Sequence, residues 1–202
     1  MKKVLIINGH PDTESFCFAL HDRYKKGVLQ NARANAGAPA AANEVRELIL
    51  ARMSFNPILT HGFRQRTELE PDLLDAQEKL LWSDHIVWIY PTWWASPPAL
   101  LKGFVERVFL PGFAFEYTNH LASPKKLLAG KTSEIISTMD APVFIYKWIM
   151  KDPGGRMIRT NIGAYCGIKN LRTTYLATIK TSTPEQRENW LAKAEALGRT
   201  NH

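Results

Sequence analysis

Cysteine is scarce. Cys17 and Cys166 are the only two in 202 residues, too few for a disulfide framework or a cysteine zinc site. Both read as reduced filler, the usage expected of a cytoplasmic protein. Long apolar runs are missing, so no segment is expected to insert into a membrane. The opening MKKVLIINGH has an apolar core of about five residues, below the roughly 7–15 of a signal peptide. It reads as a first strand. No basic run reaches five residues, so the formal net charge of +7 does not by itself argue for nucleic acid. A positive surface would either steer a phosphorylated cofactor or be incidental. No G-x-G-x-x-G follows the first strand and no G-x-x-x-x-G-K-[ST] occurs, which removes two common phosphate loops. No serine–histidine–aspartate order, carboxylate pair or metal-ligand spacing stands out. His61, His85, His120 and His202 are scattered.

What is present is ordinary globular composition, 45% hydrophobic and 22% charged, expected to form one domain over residues 1–202. Short β-rich runs lie at Lys3–Asn8, Asn43–Arg52, His85–Tyr90, Thr132–Thr138 and Leu171–Thr178. Helical spacing lies at Phe16–Ala34, from Glu70 and Pro71 to Trp82, at Pro98–Phe109, Gly154–Cys166 and Pro184–Leu197. The first helix is expected to bury Phe16, Ala19, Leu20, Tyr24, Val28 and Leu29. The second is expected to bury Leu73, Leu74, Gln77, Leu80 and Leu81. Gly37–Ala42, Phe55–Glu68 and Pro111–Lys131 read as connections, and Met139–Lys151 fits no element. Strands alternating with helices predict an α/β fold, a parallel sheet covered on both faces. Five strands suit a flavodoxin-like three-layer sandwich of order 2-1-3-4-5. There the loops after strands one, three and four (Gly9–Phe16, Pro91–Pro98 and Met139–Tyr146) converge on one crevice at the carboxyl end of the sheet.

Two of these loops carry chemistry. In YPTWWASPP, Pro91 ends a buried strand and Trp93 and Trp94 follow on a short loop. Paired loop tryptophans either wall a flat ligand or cap the core; the convergence favours the ligand. The loop after the first strand leads into a helix amino-terminus, whose free amides and dipole bind phosphate. His10 and Ser15 would add donors there, or Ser15 would merely cap the helix. Cys17 and Arg23 also fit the C-x5-R spacing of a phosphate-transfer nucleophile. However, the intervening FALHD favours helix over an amide cradle, and that reading is set aside. The chemistry must then come largely from a cofactor. A flat apolar slot beside a phosphate-binding helix end suits a flavin.

The stretch YPTWWASPPALLKGFVERVF closely resembles the signature of NAD(P)H:quinone oxidoreductases of the DT-diaphorase type, and GHPDTESFCFAL resembles their first loop. The resemblance implies a flavin, FAD or alternatively FMN. Its phosphate tail would be held by His10, Ser15, Phe16, Cys17 and Ala19. Its ring would lie along Pro91, Thr92, Trp93, Trp94 and Ala95, with Thr138 and Met139 on the other side. Tyr146 would be catalytic, its hydroxyl stabilising charge near the reduced ring. Phe115 and Tyr117 would be lent to the substrate pocket by the second subunit of a homodimer. NAD(P)H would give hydride to the flavin and then make way, ping-pong fashion, for a quinone-like acceptor. Two departures matter. Asp140, Ala141 and Pro142 replace a glycine pair after the fourth strand, and Pro142 offers no amide hydrogen. The family's histidine partner for the tyrosine has no counterpart, its position falling near Asp152. The rival readings are a flavin-bearing regulatory subunit of a potassium-efflux transporter and a nucleotide-binding module without redox chemistry.

Overall fold

Five of the six residues of KVLIIN are buried in β1 (Lys3–Asn8), and all seven of HIVWIYP in β3 (His85–Pro91). Strands this apolar on both faces need covering on both sides. The computed structural model, which describes residues 2–34, 43–118 and 124–200, provides that cover. Beside these two strands lie β2 (Glu44–Ile49), β6 (Thr132–Thr138) and β7 (Lys169–Leu176). All pair in parallel, in the order β2-β1-β3-β6-β7. This is the expected 2-1-3-4-5 order, with two short strands intervening in the chain.

One face carries α1 (Phe16–Ala34) and α5 (Pro184–Arg199) over Val4, Ile6, Val87, Ile89 and Ile136. The other carries α2 (Pro71–Trp82) and α3 (Ala99–Val108) over Leu5, Ile7, Ile86, Trp88 and Ile135. Thr183 starts α5 with a reciprocal capping box to Gln186. The α1 and α5 backbones nearly touch. A Cβ on Gly27 would stand 2.0 Å from the Glu195 carbonyl oxygen, so no side chain fits there.

Several boundaries differ from expectation. The second strand stops at Ile49, and Leu50–Arg52 is a single 3-10 turn. The fifth strand of the sheet starts and ends two residues early, and beyond its end Thr178 adopts a left-handed φ of 58°, which is incompatible with a strand. The expected helix at Gly154–Cys166 begins as α4 (Pro153–Arg156) and continues as a π-helical stretch, Met157–Ala164. A further π-helical turn, Ile145–Ile149, occupies the unassigned stretch. The connection after α3 contains β4 (Phe115–Glu116) paired antiparallel with β5 (Lys125–Lys126). Leu29, Leu74 and Leu81, expected on buried stripes, are exposed. The Gly37–Ala42 connection, His120 and His202 lie outside the described residues.

The irregular excursion before α2 is held from beneath. Arg107 of α3 is buried and donates to the carbonyls of Asn56 (2.5 Å) and Glu68 (2.7 Å) and to both carboxylate oxygens of Glu70. A planar guanidinium can make this fork, whereas an ammonium cannot.

Candidate functional site

The carboxyl ends of the strands are stitched together beyond the sheet itself. Gly9 N–H donates to Ile89 O (2.8 Å), Thr92 N–H to Thr138 O (2.6 Å) and Met139 N–H to Leu176 O (2.9 Å). The loops therefore meet as the strand order required, and they enclose a crevice. It is lined by His10, Phe16, Cys17, Pro91, Thr92, Trp93, Thr138, Met139, Asp140, Ile179 and Lys180. Its volume is about 210 Å³, below the range usual for ligand pockets.

At the α1 end, Asn8 organises the turn. Its side chain accepts from His10 N–H (3.0 Å) and donates to Cys17 O (3.3 Å). Asp12 N–H donates to His10 Nδ1 (3.0 Å), which fixes the proton of the neutral ring on Nε2. Burial holds the His10 pKa below its ordinary value, with nearby Asp12 opposing. A neutral donor therefore faces the crevice end. Ser15 Oγ is buried and has no partner among the described residues. It sits where the first-turn amides of α1 also lack intrahelical acceptors. A buried hydroxyl without a partner beside a helix amino-terminus matches what a phosphate ester requires. The residues thus fit the tail of a flavin. Cys17 Sγ lies 3.4 Å from Thr138 Oγ1, and burial pushes the thiol up to about 12.

On the other side, Trp93 and Ser96 exchange both backbone hydrogen bonds (2.8 and 2.9 Å) around Trp94 and Ala95, whose φ values are 50° and 60°. This geometry suits Asn-Gly; here it is imposed on tryptophan and alanine. Trp93 lines the crevice, with its ring edge-on to His10 at 5.4 Å, and Trp94 is fully exposed. Tyr146 is buried behind this turn. Its hydroxyl donates to Ala95 O (3.3 Å) and accepts from the amides of Gly154 (3.1 Å) and Gly155 (3.4 Å). Behind it, Asp152 accepts from Tyr175 Oη (2.5 Å) and from Arg159. Burial, followed by the Asp152 charge, raises the Tyr146 pKa.

Of the twelve residues expected to hold the flavin, His10, Phe16, Cys17, Pro91, Thr92, Trp93, Thr138 and Met139 line the crevice. Ser15, Ala19, Trp94 and Ala95 flank it without lining it, and Tyr146 stands behind its wall rather than in it. Asp140, on a loop expected at the crevice, lines it without having been assigned a role, and Ile179 and Lys180 were not foreseen. Lys180 N–H donates to Asp140 Oδ1 (2.8 Å), which joins the loop after β7 to the loop after β6. The signal was available, since the carboxyl end of the fifth strand must face the same edge. Phe115 and Tyr117 do not line the crevice. They cluster with Tyr165, at ring separations of 5.3 Å (Phe115–Tyr117) and 5.0 Å (Phe115–Tyr165). Among the described residues no group of acidic, histidine or cysteine side chains is placed to hold a metal. None of their helices is long and apolar enough to cross a membrane.

A family model described as a flavodoxin-like fold matches residues 2–198. An uncharacterized NAD(P)H oxidoreductase of Haemophilus influenzae is 30% identical over 172 residues, covering 83% of this chain and 79% of that relative. NAD(P)H dehydrogenase [quinone] 1 of Rattus norvegicus is 25% identical over 231 residues, covering 98% and 78%. Among solved structures, Smu.1420 from Streptococcus mutans superposes with a TM-score of 0.79 at 26% identity, covering 98% of each chain. The NAD(P)H:quinone oxidoreductase from Methanothermobacter marburgensis shares the fold, with a TM-score of 0.78 at 21% identity over 100% of this chain and 99% of that one. Sequence signature, strand order and crevice agree with these likenesses: the chain belongs to the flavodoxin-like NAD(P)H:quinone oxidoreductase family.

Proposed function

We propose that this protein is a flavin-dependent NAD(P)H oxidoreductase acting on a flat, quinone-like acceptor, with FAD as its flavin and a homodimer as its working form. The observation that carries the reading is the crevice itself. The Ser15 hydroxyl, buried and without a partner among the described residues, and the amino-terminus of α1 lie at one end, and the Trp93 turn lies at the other. His10, Ser15, Phe16 and Cys17 would hold the phosphate tail. Pro91, Thr92, Trp93 and Thr138 would flank the ring. A flavin bound there would supply the two-electron chemistry between the nicotinamide and the acceptor. The chain's own part is to orient the ring, shield it from water and present amide and hydroxyl dipoles to its polar edge.

Two cations favour FAD over FMN. Lys180 lines the crevice, and the Arg187 guanidinium lies 5.8 Å from the Phe16 ring centroid, bonded to Ile179 O (3.2 Å). They suit a second phosphate that FMN lacks. The small volume of the crevice and the exposed Tyr117 and Tyr165, which pack on the half-buried Phe115, support the dimer, in which a second copy supplies the missing wall. Two buried thiols fit a cytoplasmic setting. Three of the four proteins compared above are named for catalysis, which favours the enzyme over a regulatory subunit of a transporter.

The test is spectroscopic. The purified protein is mixed with excess FAD or FMN, desalted and scanned. Retained flavin absorption that bleaches with NADH or NADPH and returns when a quinone is added is the expected result. A colourless protein after both flavins would overturn the reading.

A further inference from the structure

Tyr146 Oη has one donor too many for a phenol. The amides of Gly154 (3.1 Å) and Gly155 (3.4 Å) donate to it, and so does the Thr92 hydroxyl. Its own proton goes to Ala95 O (3.3 Å). A neutral phenol has two lone pairs to offer three donors, whereas a phenolate has three. The Thr92 hydroxyl can donate without being orphaned, because Ser137 Oγ lies 2.7 Å from Thr92 Oγ1 and can donate to it in turn. The amides come this close because both residues are glycine. A Cβ on Gly154 would stand 2.8 Å from Tyr146 Oη, and one on Gly155 would stand 2.1 Å from Tyr175 Oη. Asp152 pins the turn that aims them, its carboxylate accepting from Tyr175 Oη (2.5 Å) and from Arg159. Those two partners also occupy the charge that would otherwise oppose a second anion. The remaining titratable neighbours are Tyr90 of β3 and Lys147, whose Nζ lies 6.0 Å from the Tyr175 ring centroid. Burial, then the Asp152 charge, raises the Tyr146 pKa, and the two amides and the Thr92 hydroxyl oppose them. At neutral pH the phenol therefore keeps its proton.

We propose that the Thr92 hydroxyl and the Gly154 and Gly155 amides form a cradle that holds negative charge on Tyr146 Oη, in place of the histidine partner this chain lacks. The inference rests on the flavin reading above and deepens it. Thr92 lines the crevice, so the cradle adjoins the group bound there. When negative charge arrives at the polar edge of a bound ring, the Tyr146 O–H bond breaks. The electron pair stays on Oη, and the proton passes to that edge. The three donors then close on the phenolate, with Gly155 shortening most from its 3.4 Å. The proton returns to Oη as the ring hands on its electrons. The preformed amides need no reorganisation for this, and a threonine at position 92 supplies the third donor that an aliphatic side chain could not.

The experiment compares Thr92→Val, which keeps the shape and deletes the hydroxyl, with Thr92→Ser, which keeps the hydroxyl. The first measurement needs no flavin. The chain is made with difluorotyrosine, whose phenol is more acidic, and its fluorine resonances are titrated against pH. The residue-146 resonance is identified by its loss in Tyr146→Phe. Thr92→Val is expected to move that titration up by about one pH unit, the loss of a hydrogen bond to a charged group. Thr92→Ser should leave it at the parental position. The second measurement uses the FAD-loaded protein. In Thr92→Val, kcat should fall about tenfold with KM for the quinone within about twofold of the parent, and the alkaline limb of the pH profile should move up with the titration. Thr92→Ser should restore both. A residue-146 resonance that titrates in Thr92→Val as in the parent would overturn the proposal, and so would a fall in kcat that Thr92→Ser does not restore. Should Thr92→Val fail to fold, Ser137→Ala removes the hydroxyl behind Thr92 and should give a smaller upward shift; no shift would overturn the proposal equally. Failure of the parent to bind any flavin would instead sink the functional reading, and the fluorine titration would still judge the cradle.

Discussion

Cys17 occupies the position that a C-x5-R reading would make a nucleophile, one residue into α1. The structure removes that chemistry. The thiol is buried against Thr138, and burial pushes its pKa up to about 12, so at neutral pH it carries no useful thiolate. Arg23 faces Glu188 and Glu195 instead of an anion site. Cys166 is also buried, and burial pushes it up to about 11. Native protein at pH 8 is therefore expected to show almost no reaction with a thiol reagent on the timescale in which the unfolded chain titrates two thiols. Rapid labelling of one cysteine in the native state would contradict the burial assigned here. At this scale the sequence was informative wherever a side chain's chemistry and its loop pointed the same way, as for His10, Ser15 and Trp93. It was silent on the Trp94–Ala95 turn, which contains none of the glycine, asparagine or aspartate that marks a left-handed turn; at Lys151–Asp152 the run Asp152-Pro153-Gly154-Gly155 did mark a turn.

Among elements, β2 is the edge strand nearest α1, and it is fastened by charge rather than by apolar area. Glu47 accepts from His21 Nε2 (2.7 Å) and Lys25 Nζ (2.5 Å). The His21 hydrogen bond is the largest cause that lowers the Glu47 pKa to about 2, with burial opposing it. A folded-state pKa below the unfolded one means the contribution is complete above about pH 4.5 and is lost as pH falls towards about 2. Glu47→Gln is therefore expected to lower stability by about 1 kcal/mol at pH 6, allowing for screening of a partly exposed group. The gap between parent and variant should close in acid. Urea midpoints compared at pH 6 and pH 3 would measure it, and a gap that persisted undiminished would refute the assignment. The elements themselves were legible because apolar runs and helical spacing are set by burial. Their ends were not. Ile49 and Leu176 end their strands through a 3-10 turn and a left-handed Thr178, choices made by neighbouring loops. Leu74 and Leu81 satisfied helical spacing yet face out, because spacing marks a stripe and not how much of it the sheet covers.

For the molecule as a whole, alternation and handedness called for a parallel sheet covered on both faces, five strands suited the flavodoxin-like order that the sheet has, and that order fixes the edge at which the crevice forms. Alternation and spacing did not disclose a use for Phe115, Tyr117 and Tyr165; only the family resemblance implied one, for the first two. Tyr117 is 77% exposed, in contact with Phe115, which also packs on Tyr165, and none of the three lines the chain's own crevice. Under the proposed homodimer they complete the partner's site across a two-fold interface. This has a consequence that a monomer cannot imitate. A chain with Trp93→Ala has a damaged crevice but intact aromatics to lend. A chain with Phe115→Ala and Tyr117→Ala has an intact crevice and nothing to lend. Each homodimer should reduce quinone poorly. Mixed and reassociated, a heterodimer contains one doubly damaged site and one site made wholly of parental parts. Random mixing makes half the dimers heterodimers, so activity should return to about a quarter of the parental value. If the aromatics served their own chain's crevice, or if the protein worked as a monomer, the mixture would show only the average of the two weak variants.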